Sequence, residues 1–236
     1  MSNFTGDPIG AAIIDYSNTK KPADIIVSSD ICEDDIIPVE VLFRSYDEMP
    51  ELERQALDRC EGSVLDVGAG AGVHAKVLME TEHDVLAIDI SKGAVSYMQS
   101  KGINAEKTAF LNLKDQKFDT ILLLMNGIGV AGKLSELEGF LQHAKSLLNP
   151  GGRILCDSSD IKYLYEDEDG SMWIDLNSEY YGNFRFQMHY KKEKGPWFDW
   201  LYVDFDNLFK AAKKVGLKAS KVYEQEDHFL AELIVA

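Results

Sequence analysis

Three glycines at alternate positions follow a short apolar run in the stretch VLDVGAGAGVHA, residues 64–75. Gly68, Gly70 and Gly72 can adopt positive φ and let a ligand lie against bare backbone. A helix that follows such a loop directs its N-terminus at that ligand. Asp89 ends the next apolar run, about twenty residues further on, where an acid accepts hydrogen bonds from both hydroxyls of a ribose in nucleotide sites. The combination predicts a site for an adenosine-containing ligand, since a ligand-free turn has no need of Asp89.

The spacing of the glycines bears on which ligand binds. In the dinucleotide pattern G-x-G-x-x-G, counted from Gly68, the third glycine would fall at position 73, which is Val73. The loop instead reads G-x-G-x-G, and Asp66 precedes it. A carboxylate there suits a ligand that carries an ammonium group and repels a pyrophosphate. The residues therefore favour a sulfonium amino-acid cofactor over NAD, with an NAD-dependent oxidoreductase kept as an alternative.

Strand and helix patterns alternate around this loop. The predicted strands are SVLDVG (63–68), DVLAIDI (84–90), FDTILLLMNG (118–127) and RILCDSS (153–159), and the predicted helices are VHAKVLMET (73–81), SKGAVSYMQSKG (91–102) and SELEGFLQHAKSLLNPGG (135–152). Ser91 is expected to cap its helix, and Ser135 with Glu138 has the spacing of a capping box. Alternation of this kind predicts an α/β fold with a doubly wound, mostly parallel sheet. Ligands bind to such sheets at the carboxyl ends of the strands.

The flanking segments predict additions to this sheet. A helix is expected from about Pro50, an acidic loop at 165–170, and a β-hairpin from NFRFQMHYK (183–191) and WFDWLYV (197–203) across a Lys-Gly-Pro turn. A helix at 204–216 and two final strands follow. We divide the chain into an N-terminal extension or cap, residues 1–60, and a core, residues 61–236. The core carries the acidic loop and aromatic hairpin as an insertion at 160–203.

The ordered segments resemble a known family. VLDVGAGAGVHA, VLAIDIS, FDTILLLMNGIG and LLNPGGRILCDSS together resemble the motif set of class I S-adenosylmethionine-dependent methyltransferases, over about residues 60–160. The resemblance implies a Rossmann-like, seven-stranded sheet whose last strand is antiparallel and inserted beside the fifth. It also implies S-adenosylmethionine as the cofactor and methyl transfer to an unidentified, small-molecule acceptor. A non-catalytic, cofactor-binding or protein-interaction module is the alternative of a different class.

The resemblance also implies roles for individual positions. The methionine moiety would lie against Gly68 to Gly72, with Asp66 supporting that loop, while Asp89 would hold the ribose and Ile90 would pack on adenine. Where the family often has an acid near the adenine amino group, this chain has Ala109 and Phe110, so Phe110 would take that place. The implied cofactor-binding residues are Arg44, Tyr46, Asp66, Gly68, Ala69, Gly70, Gly72, His74, Asp89, Ile90, Phe110 and Asn126.

Several of these positions have a plain alternative. Asn126 is either a contact near the transferred methyl group or part of an ordinary Asn-Gly turn. Arg44 either pairs with the cofactor carboxylate or is solvated, and Tyr46 either lies near the cofactor or simply packs. His74 is expected beside the cofactor and not as a catalyst.

The acceptor side is less specific. Methyl transfer is an in-line displacement in which the protein mainly aligns the reactants. A general base is needed only when the acceptor must lose a proton. Asp157, Asp160 and His189 are the candidate bases, each of which is more often a structural polar residue. The aromatic hairpin is either a wall for the acceptor or a packing or homodimer surface.

Composition excludes other classes of function. The chain has 236 residues, 24 basic and 40 acidic side chains, and a net charge of −16. This acidity disfavours nucleic-acid binding, which relies on neutralising phosphates. No apolar stretch approaches the length of a membrane span, and the three cysteines lie far apart, without zinc spacing, so no metal is expected. We expect a cytoplasmic enzyme.

Overall fold

The computed structural model describes residues 5–21, 24–165 and 179–236. All but the first residue of the predicted acidic loop lie outside them. The strands are β1 Asp24–Ser29, β2 Asp35–Pro38, β3 Ser63–Val67, β4 Asp84–Asp89, β5 Ala105–Lys107, β6 Phe118–Leu123, β7 Leu148–Ser159, β8 Asn183–Tyr190, β9 Glu193–Leu201, β10 Leu217–Gln225 and β11 His228–Val235. The helices are α1 Pro8–Thr19, α2 Glu51–Leu57, α3 Val73–Glu80, α4 Lys92–Ser100, α5 Leu137–Ser146 and α6 Phe205–Lys214.

A seven-stranded sheet in the order β10-β11-β7-β6-β3-β4-β5 forms the centre of the fold. Strands β3 to β7 pair in parallel, whereas β11 is antiparallel to both of its neighbours, β7 and β10. The last strand is therefore inserted beside the fifth strand of the core, which confirms the predicted topology. The parallel strands end at one edge, where the glycine loop follows β3.

Strand β6 shows why the sheet is doubly wound. Ile121, Leu122 and Leu123 are all fully buried. Ile121 and Leu123 pack with α5 and α6 on one face, whereas Leu122 packs with α2, α3 and α4 on the other. A strand buried on both faces reads as a continuous apolar run, as this one does.

A second, four-stranded antiparallel sheet has the order β2-β1-β8-β9. Its β8–β9 pair is the predicted hairpin, which is confirmed. The turn, however, lies at Lys191 and Lys192, and Gly195 and Pro196 belong to β9. Pro196 is tolerated because β9 is an edge strand. The sequence did not predict that β1 and β2, from the N-terminal extension, would complete this sheet.

The start of α5 also differs from the prediction. The capping box of Ser135 and Glu138 does not form, because residues 134–136 make a short 3₁₀ turn and the helix begins at Leu137 without a side-chain cap. The Asn-Pro-Gly-Gly stretch predicted to end this helix is the beginning of β7. Helix α4, by contrast, is capped by Ser91, whose hydroxyl accepts a hydrogen bond from the Ala94 amide at 3.0 Å.

Helix α1 is fixed against α4 at a contact between two glycines. A Cβ on Gly93 would lie 2.4 Å from the Cα of Gly10, so neither position has room for a side chain. The carboxylate of Asp7 accepts hydrogen bonds from the amides of both Gly10 and Gly93, each at 2.9 Å. One carboxylate thus caps two helices, and it holds α1 beside the strand end that carries Asp89.

We predict that Gly72→Ala lowers the free energy of unfolding by about 2–4 kcal/mol. Gly72 has φ of 76°, and a Cβ there would lie 2.7 Å from Cδ1 of Ile103 and 2.9 Å from Cγ of Met98. Left-handed strain and overpacking therefore add. The control is Gly102→Ala, with φ of 79° and nothing within 4 Å of the Cβ. Equal losses in urea unfolding of the two variants would contradict the packing argument.

Candidate functional site

The glycine loop connects β3 to α3 at the carboxyl edge of the sheet. Gly68, Gly70 and Gly72 have φ of 71°, 56° and 76°, which is the left-handed region that favours glycine. The amides of Gly68 and Ala69 donate to the Ile88 carbonyl at 2.9 and 3.1 Å, so β4 holds the start of the loop. A Cβ on Gly68 would meet nothing within 4 Å. The backbone here is open to a ligand.

A cleft lies against this loop. Its lining comes from the loop itself, from the N-terminal extension and from the segment after β6: Leu42, Asp66, Val67, Gly68, Ala69, Gly70, Ala71, Val73, His74, Leu124 and Met125. Five predicted residues line this cleft: Asp66, Gly68, Ala69, Gly70 and His74. Gly72 does not line it, and the Cβ position of Gly72 faces Ile103 and Met98 instead. Leu42 was not predicted, because an apolar residue outside the motifs carries no signal of its position in the fold. Met125 lies within the motif FDTILLLMNGIG, but only Asn126 was predicted from that segment.

Asp89 ties the loop to the next helix. Its Oδ2 accepts from the Gly70 amide at 2.9 Å, and its Oδ1 accepts from the Ser91 amide at 2.7 Å. Burial raises the pKa of Asp89 to about 6, against the opposing effect of these two amides. A carboxylate has about four lone-pair sites. Each oxygen therefore keeps acceptor capacity for a ribose hydroxyl.

We predict that affinity for S-adenosylhomocysteine, the demethylated form of S-adenosylmethionine, falls as the pH drops below about 6. Only the ionised form of Asp89 can accept from both ribose hydroxyls, and its pKa of about 6 sets the onset. With one proton linked, calorimetric titration should give a roughly tenfold weaker affinity at pH 5 than at pH 8. Asp89→Asn should abolish this dependence. A flat profile for the wild-type chain would contradict the assignment.

Asp66 has a buried oxygen without a partner. The residue is 2% exposed, and its Oδ2 has no hydrogen bond within the described residues. Burial raises the pKa of Asp66, against the effects of His74 and the Ala75 amide. An unsatisfied buried acceptor costs about 1–3 kcal/mol. An ammonium group in the adjoining cleft would remove that cost, so the residues present fit an amino-acid cofactor.

A buried ion-pair network lies beside the cleft. The guanidinium of Arg44 pairs with both carboxylate oxygens of Glu53, and Nε2 of His74 lies 2.8 Å from Oε2 of Glu53. Burial alone would raise the pKa of Glu53, but His74 and Arg44 outweigh it and lower the pKa. Arg44 Nε has no partner within the described residues. Arg44 is thus neither solvated nor isolated.

Glu53 is a site residue that the sequence analysis missed. It is 5% exposed and lies on α2 among the buried residues Leu52, Ala56 and Leu57. A carboxylate on the apolar face of a helix is a signal for a buried pairing partner. That signal was present in the sequence, but its partners Arg44 and His74 are remote along the chain.

Three predicted cofactor residues do not line the cleft. The Tyr46 hydroxyl donates to Asp58 at 2.9 Å, on the outer side of α2. Ile90 is 74% exposed, next to Asp89. Phe110 is buried in the core with its ring 4.9 Å from that of Phe140. The adenine contacts of Ile90 and Phe110 stay predictions.

Asp157, in strand β7, holds the turn that contains Asn126 at the end of β6. Asn126 has φ of 56°, and the Asp157 carboxylate accepts from the amides of Asn126 and Gly127 at 2.8 and 2.9 Å. Burial raises the pKa of Asp157 to about 6, against these two bonds. Asn126 Nδ2 donates to the Leu201 carbonyl at 3.3 Å, and its Oδ1 is buried without a partner in the described chain. Asp157 thus shapes the turn that presents Asn126.

The other two candidate bases lie elsewhere. Asp160 accepts from the hydroxyl of Tyr181 at 2.7 Å. His189 is opposite Ile26 in the register of β1 and β8, and Ile26 is 42% exposed. Paired residues share a face, so His189 lies on the outer face of the small sheet. The three candidates are therefore not brought together.

The described ranges contain neither a metal-ion cluster nor a membrane-spanning helix. No group of three or more His, Cys, Asp or Glu side chains there is arranged to hold a metal ion. No helix in the same ranges is long and apolar enough to cross a bilayer.

The chain resembles known proteins in both sequence and structure. A family model described as a methyltransferase domain matches residues 59–199, more than half of the chain. The chain belongs to this methyltransferase family. A crystal structure of a SAM-dependent methyltransferase from Bacteroides fragilis, in complex with S-adenosyl-L-homocysteine, is 44% identical with a TM-score of 0.92, covering 99% of this chain and 97% of that one. This methyltransferase accordingly uses S-adenosylmethionine, and the predicted family, fold and cofactor are confirmed.

More distant relatives match smaller parts or the fold alone. Demethylmenaquinone methyltransferase of Tropheryma whipplei is 31% identical over 103 residues, 41% of either chain. Cypemycin N-terminal methyltransferase of Streptomyces is 29% identical over 103 residues, 42% of either chain. The matched segment thus spans about two fifths of these curated relatives. The CcbJ methyltransferase of Streptomyces caelestis is 14% identical with a TM-score of 0.61, covering 81% of this chain and 94% of that one, which shows the fold alone.

Proposed function

We propose that this methyltransferase transfers the methyl group of S-adenosylmethionine to a small organic acceptor, bound between the glycine-loop cleft and the four-stranded sheet. The observation that carries the proposal is the contact of β9 with the turn after β6. A Cβ on Gly129 would lie 2.3 Å from the indole of Trp200, so the ring lies directly on that turn. The side-chain amide of Asn126 donates a hydrogen bond to the carbonyl of Leu201, the residue after Trp200.

The chain's own residues then have separable tasks. S-adenosylmethionine, when bound, supplies an electrophilic methyl group on a sulfonium. Asp66 would hold the ammonium group, the glycine loop would lie along the amino-acid moiety, and Asp89 would hold the ribose. Asp157 would keep Asn126 in place. Because the displacement is in-line, this alignment is the main contribution that the protein makes.

The N-terminal extension, residues 1–60, acts in this proposal as a cap together with the hairpin. Three contacts support it. Strands β1 and β2 pair in the same sheet as β8 and β9. Leu42 lines the cleft. Ile13 of α1 packs with Ala71 of the loop and Ala94 of α4. The acceptor would be enclosed between this cap and the core, residues 61–236.

Two finer proposals concern the surroundings of the enzyme. A homodimer would use the outer face of the hairpin, where Trp197 is 42% exposed, because the inner face packs on α1 and on the turn after β6. A cytoplasmic location agrees with the free, unpaired state of Cys32, Cys60 and Cys156. Sedimentation of Trp197→Ala beside wild type would test the first.

We predict that Trp200→Ala lowers methyl transfer at least tenfold while S-adenosylhomocysteine affinity changes less than about twofold. The assay follows tritium from methyl-labelled S-adenosylmethionine into the small-molecule fraction of a filtered metabolite extract. Trp197→Ala is the matched control, since it removes a tryptophan from the outer face of the same strand. Label that appears only in protein or nucleic acid, or equal rates for both variants, would contradict the proposal.

A further inference from the structure

The inner face of the small sheet can be followed by its register. Val27 is buried and pairs with Asp35 on one side and Met188 on the other. Paired residues share a face of the sheet, so Asp35 lies on the inner face. In the next row, Phe186 pairs with both Ser29 and Phe198. The inner face therefore combines one carboxylate with aromatic rings.

The rings form a continuous surface, which we call the aromatic wall: Phe186, Phe198, Trp200 and Tyr202. Ring centroids are 6.3 Å apart for Phe186 and Phe198, 6.1 Å for Phe198 and Trp200, and 6.3 Å for Phe186 and Tyr202. All four side chains are half-buried. Trp200 anchors the wall at the turn that presents Asn126, and the remaining rings extend from there along the inner face.

The charges that act on the Tyr202 end of this wall are negative. Burial raises the pKa of the Tyr202 hydroxyl to about 12, and the carboxylates of Asp35 and Asp157 raise it in the same direction. In the described chain this hydroxyl has no hydrogen-bond partner, so it is available to a ligand. The Asn126 Oδ1 is a buried acceptor that also lacks a partner there, and the amide of Asn126 is held by Asp157, whose charge acts on Tyr202.

Aromatic faces attract cations, and a nearby carboxylate adds to that attraction. A carboxylate or phosphate ligand would be repelled at the same place. The net charge of −16 further concentrates cations near the protein. Unpartnered oxygens of Asn126 and Tyr202 suit a ligand that donates hydrogen bonds.

We propose that the acceptor is a small amine with an apolar group, cationic before reaction, whose apolar group lies on the aromatic wall and whose ammonium group faces Asp35 and Asn126. This rests on the proposed methyltransferase function. The ammonium group first releases a proton to water, and the nitrogen lone pair then forms the N–C bond. The S–C bond breaks with its electron pair going to sulfur. One ammonium and one sulfonium thus give one methylammonium, neutral S-adenosylhomocysteine and one proton.

The experiment uses three probes of one shape, phenethylamine, phenethyl alcohol and 3-phenylpropionate. Saturation-transfer NMR measures their binding to the full chain saturated with S-adenosylhomocysteine. We expect the amine to bind at least tenfold more tightly than the carboxylate. Asp35→Asn should weaken amine binding three- to tenfold. Asp24→Asn, at the far end of β1, is the matched control and should leave it unchanged.

Other results overturn the inference. The inference is wrong if the carboxylate binds as tightly as the amine. It is also wrong if the amine does not bind at 10 mM (~100-fold above ordinary substrate levels), or if Asp35→Asn leaves the amine signal unchanged. Calorimetry with S-adenosylhomocysteine is run on the same samples. Loss of its binding in folded protein would instead count against the proposed function itself.

Discussion

Asp89→Ala is expected to weaken S-adenosylhomocysteine binding by roughly 100- to 1000-fold, or about 3–4 kcal/mol. Two effects add. The variant lacks the acceptors for both ribose hydroxyls, each worth about 1.5–3 kcal/mol as a charged hydrogen bond, with incomplete additivity. It also frees the amides of Gly70 and Ser91, which the carboxylate holds at 2.9 and 2.7 Å. The measurement is calorimetric titration at pH 8.

The control for this prediction is Asp84→Ala. Asp84 begins the same strand, β4, but is exposed at the opposite edge of the sheet. The Asp84→Ala variant should bind S-adenosylhomocysteine with the affinity of the wild-type chain. A loss of less than about fivefold in Asp89→Ala, with both variants folded by circular dichroism, would remove Asp89 from the site.

Glu53→Gln is expected to lower the free energy of unfolding by about 3–5 kcal/mol, as breaking a buried ion pair does. The neutral amide would leave the guanidinium of Arg44 buried without a counter-charge and would remove the carboxylate oxygen that lies against Nε2 of His74. Both have side chains that are little exposed, at 11% and 6%. Because Arg44 joins the segment after β2 to α2, the Leu42 side of the cleft should loosen too. Urea unfolding measures the first effect and calorimetry the second.

A matched variant separates the loss of the buried ion pair from the loss of a carboxylate at the surface. Glu51→Gln removes a carboxylate from the same helix, where Glu51 pairs with Arg54 at the surface, and its unfolding curve should stay close to that of wild type. The pKa of Glu53 is lowered from its ordinary 4.5, so its stabilisation is present above pH 4.5 and is lost as the pH falls through the folded pKa. The difference in free energy of unfolding between Glu53→Gln and wild type should therefore become smaller at acidic pH. Equal losses for both variants would contradict the network.

The core could be predicted because its signals are local. Strand β6 was predicted from its apolar run ILL, and the loop after β3 was predicted from its glycines. The position of Asp89 at the end of β4 was predicted from its short spacing to that loop. The parallel sheet then brings the loop and Asp89 together at one edge. For the same reason the proximity of the glycine loop to Asp89 was predictable.

The way in which the N-terminal extension packs could not be predicted, because its contacts are remote along the chain. Strand β1 pairs with β8 across more than 150 residues, as in Ile26 with His189. The contact of Gly10 with Gly93 depends on where α1 crosses α4. Glu53 had a local signal, but its partners did not. The position of Asp35 on the inner face of the small sheet depends on the register of β1 and β2, which the sequence does not show.

Calorimetric titration of the wild-type chain with S-adenosyl-L-homocysteine, with NADH in parallel, tests the assigned cofactor site most directly. We expect one-to-one binding of S-adenosylhomocysteine with a dissociation constant in the micromolar range or below, and no heat from NADH. Absence of S-adenosylhomocysteine binding in folded protein, or binding of NADH in its place, would contradict this assignment.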